Sequence, residues 1–433
     1  MKDLVHNITL KIKNSKEIKN ASWLIGGRIA QMILSFFISI LTARYLGPSN
    51  FGVINYGQAF AVFFTSFCTL GINAVIIRDF VEHPDEEGDA IGTTIVLRAI
   101  SSILSVIMIA CIVSMLDSSE KETIIVAVLC SLSLVFQVFD TFNYWFQSRY
   151  QSKVTSIATF IAYVIVSTYK IILLITKQSV EWFAFSYALD YMVIAIMLFI
   201  AYRKYRGPKL SFSMNKARSL LGRSYHYILS SMMVAIYGQT DKLMLKQMLS
   251  SSDVGYYSIA VALCMIWVFV LQAIIDSMFP TLLSLFDEDE EAFIKKNKQL
   301  YAIIFYISII VSLFFVVFGG VAVKLLYGSA YLPAVTPLRI ATWYVAFSYL
   351  GVARNAWIVC NNKQYYLKYI YFGAAVINVA LNFLLIPILG AAGAALASLI
   401  TQIATSILLP FAFKGMRENA KMMVEAILFR GVR

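Results

Sequence analysis

Charge is what this sequence has least of. Acidic and basic side chains make up 14% of its 433 residues, where a water-soluble domain carries about a quarter. Proline is scarce at 8 residues and histidine scarcer at 3, while Phe (31) and Tyr (25) abound. That balance excludes a disordered or collagen-like chain. The cysteines, at 68, 111, 130, 264 and 360, lie in apolar runs with no C-x-x-C spacing, which excludes a disulfide scaffold and leaves no zinc motif. His6, His83 and His226 are far apart and form no metal set. The sequence has no Walker loop, dinucleotide fingerprint or nucleophile elbow.

Apolar residues supply 60% of the chain, too many for its polar surface to clothe in water. A helix needs about 20 mainly apolar residues to cross the hydrocarbon core. Twelve stretches meet that length: 21–44, 53–77, 93–115, 123–147, 155–176, 182–201, 226–248, 255–277, 301–323, 336–359, 367–387 and 392–412. The expectation is an all-α polytopic membrane protein, with 226–248 and 336–359 the weakest spans because they carry charges. The first stretch does not resemble a cleaved signal, being long and followed at once by another apolar run.

With both termini cytoplasmic, the inner segments (78–98 among them) hold 26 of the 36 Lys and Arg, the outer segments 6. The formal charge of +12 therefore reads as orientation in the membrane, and no nucleic-acid partner is expected. Outer loops are short, so function must reside within the helices. In the inner loop 202–225, Phe212, Met214, Ala217, Leu220 and Leu221 have helical spacing beside Lys216, Arg218 and Arg223. The segment reads either as an interfacial amphipathic helix or as a linker. The acidic run 287–291 reads as a solvated loop.

A repeat marks the midpoint. Leu46, Ser49, Asn50, Phe51 and Gly52 recur in register as Leu249, Ser252, Asp253, Val254 and Gly255. Six spans per half give two parallel repeats, an arrangement transporters use. The expected division is an N-terminal lobe at 1–218 and a C-terminal lobe at 219–433.

Polar residues recur at membrane depth, where a charge costs about 2.5–3.5 kcal/mol on insertion scales. Span one carries Arg28, Gln31, Ser35, Ser39 and Thr42; span four carries Gln137, Asp140, Thr141, Tyr144 and Gln147; span seven carries Ser230, Tyr237 and Asp241. Span five holds Lys170, span six Asp190, and span ten Arg339 and Arg354. The hydroxyls and amides read as packing glue. Arg28, Asp140, Asp241 and Arg354 are expected to face a wet chamber, Lys170 and Asp190 to do either, and Asp276 and Arg339 to cap or snorkel. Lys242 is expected to reach the outer interface.

The run from Ala43 to Tyr56 resembles the first-loop signature of bacterial lipid-linked oligosaccharide flippases. These are the polysaccharide-transporter branch of the multidrug/oligosaccharide-lipid/polysaccharide exporter superfamily. Further similarities, in the same order along nearly the whole chain, are Leu70 to Arg78, Asp140 to Gln147, Asp241 to Leu245, Leu326 to Gly328, Gly351 to Arg354, Asn378 to Pro387 and Gly390 to Gly393. The peptidoglycan-precursor flippases usually have fourteen spans, two more than this chain.

The resemblance implies a MATE-like fold, two six-helix lobes around a central cavity, in the bacterial inner membrane. It implies translocation of a polyprenyl-pyrophosphate-linked oligosaccharide from the cytoplasmic to the outer leaflet by alternating access, for O-antigen, capsule or a similar polymer. A polysaccharide polymerase and glycosyltransferases would be partners. The chain would not be an enzyme and would need no cofactor, with H+ or Na+ coupling at Asp140 or Asp241 left open. The substrate-binding residues would be Arg28, Gln31, Asp140, Tyr144, Trp145, Gln147, Lys170, Tyr237, Asp241 and Arg354. Of these, Arg28 and Arg354 would pair with pyrophosphate, and Tyr144, Trp145 and Tyr237 would stack on sugars. The rival readings are a cation-coupled drug or metabolite exporter of the same superfamily, and a membrane polysaccharide polymerase or ligase, which usually carries the long outer loop absent here.

Overall fold

The computed structural model describes the backbone of residues 16–431, and side chains from residue 31 onward except those of Ile33, Ala74, Leu229 and Ser230. Every regular element among the described residues is helical, as lipid demands of a chain that must satisfy its own backbone hydrogen bonds. The first eight helices are α1 (Lys16–Thr69), α2 (Ile76–Glu82), α3 (Glu87–Leu116), α4 (Lys121–Ser131), α5 (Ser133–Gln137), α6 (Asp140–Ser148), α7 (Ser152–Ile175) and α8 (Val180–Lys204). Then follow α9 (Met214–Met248), α10 (Ser251–Met265), α11 (Val268–Glu288), α12 (Glu290–Tyr327), α13 (Val335–Ala353) and α14 (Asn355–Cys360). The chain ends in α15 (Leu367–Leu389), α16 (Ala391–Ile403), a π-helical turn (Ala404–Leu408), α17 (Leu409–Ala412) and α18 (Arg417–Ile427).

Among the described residues, nine helical segments are long and apolar enough to span a membrane. The protein is a multi-pass membrane protein. The twelve expected stretches lie mostly on helix, but 53–77 overruns the end of α1 at Thr69 and 255–277 crosses the break between α10 and α11, the span there being Val268–Glu288; three features separate the counts. The first two stretches share α1, kinked at Gly47 (φ 71°) and Pro48. The charges of α9 and the charges and break of α13–α14 keep 226–248 and 336–359 out of the nine. In α12, Ile304, Ser308, Ser312, Phe315, Gly319 and Val323 are buried at steps of three and four, while Ile310, Phe314, Val317 and Val321 are exposed. That split is one protein face and one lipid face.

The chain forms two compact units. The first contains residues through Tyr45 and Phe60–Met232; the second contains Leu46–Ala59 and residues from Met233 onward. The core of the first unit gathers Ile72, Ile76, Phe80, Ile91, Phe142, Trp145, Phe146 and Tyr202. In the second unit the two copies of the repeated motif pack on each other. A Cβ at Gly52 would lie 1.7 Å from the Ser251 carbonyl oxygen, and one at Gly255 would lie 2.3 Å from that of Pro48. Only glycine permits so close a crossing of backbones.

Two loop expectations need correction. From Met214 onward the inner loop is the start of α9, with Ala217, Leu220 and Ser224 buried in protein and Phe212 and Met214 exposed. Lys216 donates to Asp79 (3.2 Å) and Glu86, and Arg223 also donates to Asp79. Burial opposes the charge of Lys216, but these hydrogen bonds outweigh it and hold its pKa above the ordinary lysine value. The preceding segment runs along α3, where Gly88 and Gly92 leave room for the carbonyls of Lys209 and Ser211 and the Ser213 N–H donates to Thr93 Oγ1 (2.9 Å). The acidic run is not a loop either: α11 extends to Glu288, and Asp289 caps α12 by accepting from the Ala292 N–H (2.9 Å).

Candidate functional site

In the second unit, α9, α10, α13, α15 and α16 line a cavity of about 130 Å³. Asp241, only 3% exposed, is its most polar feature. One carboxylate oxygen accepts from the amides of Asn378 (3.1 Å) and Asn382 (2.6 Å), and the other from the hydroxyls of Tyr257 and Ser398. Asn378 and Asn382 sit one turn apart on α15, so both amides reach the same oxygen, and Asn382 also donates to Asn378 Oδ1 (3.1 Å). Four neutral donors thus replace the hydration a buried carboxylate loses. Lys242, which the sequence places at the outer interface, lines this cavity and interacts with the Asp241 charge.

Arg354 is 1% exposed and sits at the break between α13 and α14. Its Nη1 donates to the Thr405 carbonyl (3.2 Å), in the π-helical turn where a regular i−4 ladder is interrupted. Its Nε has no partner, and no carboxylate pairs with it among the described residues. The phenols of Tyr237, Tyr301 and Tyr371 interact with its charge. Tyr237 stacks on Tyr371 with centroids 6.2 Å apart and lines the cavity beside Gln402. Asp241, Tyr237 and Arg354 therefore belong to one polar interior.

The first unit gathers a second polar set. Arg98, 2% exposed, was counted by sequence with an inner loop but lies inside α3. Its guanidinium donates to the Gln137 carbonyl (3.0 Å) and to Thr141 Oγ1 (3.3 Å), spanning the break between α5 and α6. Asp140 and Tyr144, at that break and one turn beyond, feel its charge. Lys170 interacts with Asp190 and lies 4.6 Å above the Tyr187 ring. Gln31 and Ser35 lie beside Tyr163, which also interacts with the Asp190 charge.

Other expected residues fall elsewhere. Arg28 lies on α1, but its side chain is outside the described residues, as is that of Ser230. Trp145 requires correction: it is 2% exposed in the first unit's core, edge-on to Phe146 and Tyr202. Its indole N–H donates to Glu87 (2.9 Å), and Arg149 covers its ring at 4.5 Å, so neither face is open to a sugar. Gln147 donates to Asn143 (3.2 Å) along its own helix. Asp276 and Arg339 are exposed, and Arg339 donates to the Val316 carbonyl (3.0 Å). Tyr257 and Ser398 escaped the sequence reading, since a Tyr or Ser in an apolar span is indistinguishable from packing. No cluster of three or more His, Cys, Asp or Glu occurs among the described residues.

A helical membrane protein with a polar interior in each unit is the class that fold and site define. The fold is shared with solved transporters. The lipid II flippase MurJ, in an inward closed conformation, aligns with a TM-score of 0.73 at 15% identity over 93% of this chain and 91% of that one. An inward-facing multidrug resistance MATE family transporter of the MOP superfamily aligns with a TM-score of 0.67 at 14% identity, covering 91% of this chain and 96% of its own. A MOP superfamily transporter from Pyrococcus furiosus gives 0.52 at 13% identity over 95% and 94%. No curated protein sequence matches. Residues 18–286 match the profile of the polysaccharide biosynthesis protein family, and the chain belongs to that family.

Proposed function

We propose that this protein translocates polyprenyl-pyrophosphate-linked oligosaccharides from the cytoplasmic to the outer leaflet of the bacterial inner membrane, for O-antigen, capsule or a related polymer. A pyrophosphate-linked sugar cannot cross hydrocarbon unaided, because stripping water from its charges and hydroxyls is too costly. Arg354 carries the reading: a buried guanidinium that pairs with no carboxylate among the described residues and interacts with the phenols of Tyr237, Tyr301 and Tyr371, in a member of a polysaccharide biosynthesis family. Guanidinium pairs bidentately with phosphate oxygens. Tyr237 and Tyr144 offer rings to sugars, and the prenyl tail stays in lipid.

The reading includes alternating access, cytoplasmic termini, and a polymerase and glycosyltransferases acting after and before this step. Asp241 is the coupling group in this reading, exchanging a proton or sodium ion against its neutral donors. The test is deletion in the native host. Loss of surface glycan with complete lipid-linked repeat units held on the inner leaflet supports translocation. Flipped units without polymer would instead indicate a polymerase, and gained sensitivity to cationic drugs with normal glycan would indicate the drug exporter.

A further inference from the structure

The C-terminal helix α18 is docked on α12 by more than apolar contact. Met422, Met423 and Ala426 are buried, Lys298 pairs with Glu425 at 2.6 Å, and the Tyr306 hydroxyl donates to the Ile427 carbonyl (2.9 Å). Amid these contacts lies Asn419, fully buried, whose Nδ2 donates to the Tyr301 hydroxyl oxygen at 2.7 Å. Its Oδ1 finds no partner. An apolar residue would dock the helix without stranding that acceptor, so docking alone does not account for an asparagine here. Tyr301 is itself fully buried and interacts with the Arg354 charge. α18 also packs on the π-helical turn whose Thr405 carbonyl holds Arg354. Because Asn419 occupies a lone pair of the phenol oxygen, the Tyr301 O–H stays available to donate to something else.

We propose that Tyr301 is a second donor to the anion held by Arg354, and that Asn419 is the positioning residue that aims it. This rests on the reading of Arg354 as the pyrophosphate site. The C-terminal helix is then part of substrate recognition, although none of its own side chains touches the ligand.

The experiment measures binding of farnesyl pyrophosphate, with farnesol as the uncharged control, to the purified full-length protein in detergent. Asn419→Ala and Tyr301→Phe each weaken farnesyl pyrophosphate binding about fivefold, the scale of one hydrogen bond, and leave farnesol binding unchanged. Arg354→Ala weakens it more, and adding Asn419→Ala to Arg354→Ala changes nothing further, because both act through one site. Lys298→Ala, which breaks the Glu425 pair and loosens the same helix, binds like wild type. Asn419→Ala and Tyr301→Phe binding like wild type while Arg354→Ala fails would overturn this inference and leave the pyrophosphate site standing. An effect of Lys298→Ala equal to that of Asn419→Ala would reduce Asn419 to a docking residue. Wild-type binding by Arg354→Ala would remove both the inference and the reading beneath it.

Discussion

Each unit buries an arginine at a helix discontinuity, yet the two are balanced differently. Arg98 bridges the break between α5 and α6 with an acid, Asp140, beside it, and the nearby Lys170 has Asp190. Arg354 sits in its own break with a carbonyl and phenols and pairs with no carboxylate among the described residues, while Asp241 of the same unit is satisfied by amides and hydroxyls. The first unit compensates its charges internally. The second holds Asp241, whose oxygens are met by four neutral donors with Lys242 as a neighbouring charge, and Arg354, whose Nε has no partner among the described residues. Buried charge is expensive unless paired, and the proposed function gives Arg354 a partner that arrives and leaves.

Substitution of the two arginines separates these roles most sharply. Arg354→Ala should abolish surface glycan at normal membrane abundance, and Arg354→Lys should rescue little, since ammonium lacks the bidentate fork. Arg98→Ala should instead lower abundance, because it removes the hydrogen bonds its guanidinium donates to the Gln137 carbonyl and Thr141 across the break between α5 and α6, each worth about 1.5–3 kcal/mol for a charged donor. Equal behaviour of the two variants on immunoblot and glycan assay would erase the distinction.

The carboxylates give the next contrast. Asp241→Asn should flatten the response of transport to an imposed proton or sodium gradient in vesicles, whereas Asp140→Asn should chiefly lower abundance. An unchanged gradient response would take Asp241 out of coupling. The backbone crossing in the second unit supplies a structural control. Gly52→Ala should sharply reduce folded protein, because its Cβ would meet the Ser251 carbonyl; Gly320→Ala, with its nearest neighbour 3.9 Å away, should not. Fluorescence-detected size-exclusion chromatography checks both.

The smallest effect concerns α18. The hydrogen bond from Lys298 holds the Glu425 carboxyl below its ordinary value of 4.5. A depressed carboxylate stabilises the fold above that ordinary value and loses its contribution as pH falls below it. Helix docking, followed by a fluorescent label on α18, should therefore loosen below about pH 4, and by less than about 1 kcal/mol for so exposed a pair. Lys298→Ala should remove the pH dependence.

Sequence carried the membrane class, the spans and several polar residues, because a charge in an apolar run declares itself. It singled out Asp241, Tyr237 and Arg354, which the structure gathers in one polar interior, and the motif around Asn378 and Asn382. It misplaced Arg98, since the polar first turn of α3 reads as loop and a loop arginine reads as topogenic. Trp145 looked like a sugar platform because periodicity cannot tell a cavity-facing indole from one covered by Phe146, Tyr202 and Arg149. Tyr257 and Ser398 were illegible for a different reason: Ser398 is 157 residues from the carboxylate it serves, and only tertiary packing brings them together. Asn419 lay beyond the last apolar span, where the chain reads as tail.

The most direct test of the central claim is transbilayer movement of a polyprenyl-pyrophosphate-linked oligosaccharide in liposomes containing the purified protein. Wild type should expose the lipid-linked sugar on the opposite leaflet, and Arg354→Ala should not, at equal reconstitution. Movement at the same rate with either protein would contradict the account.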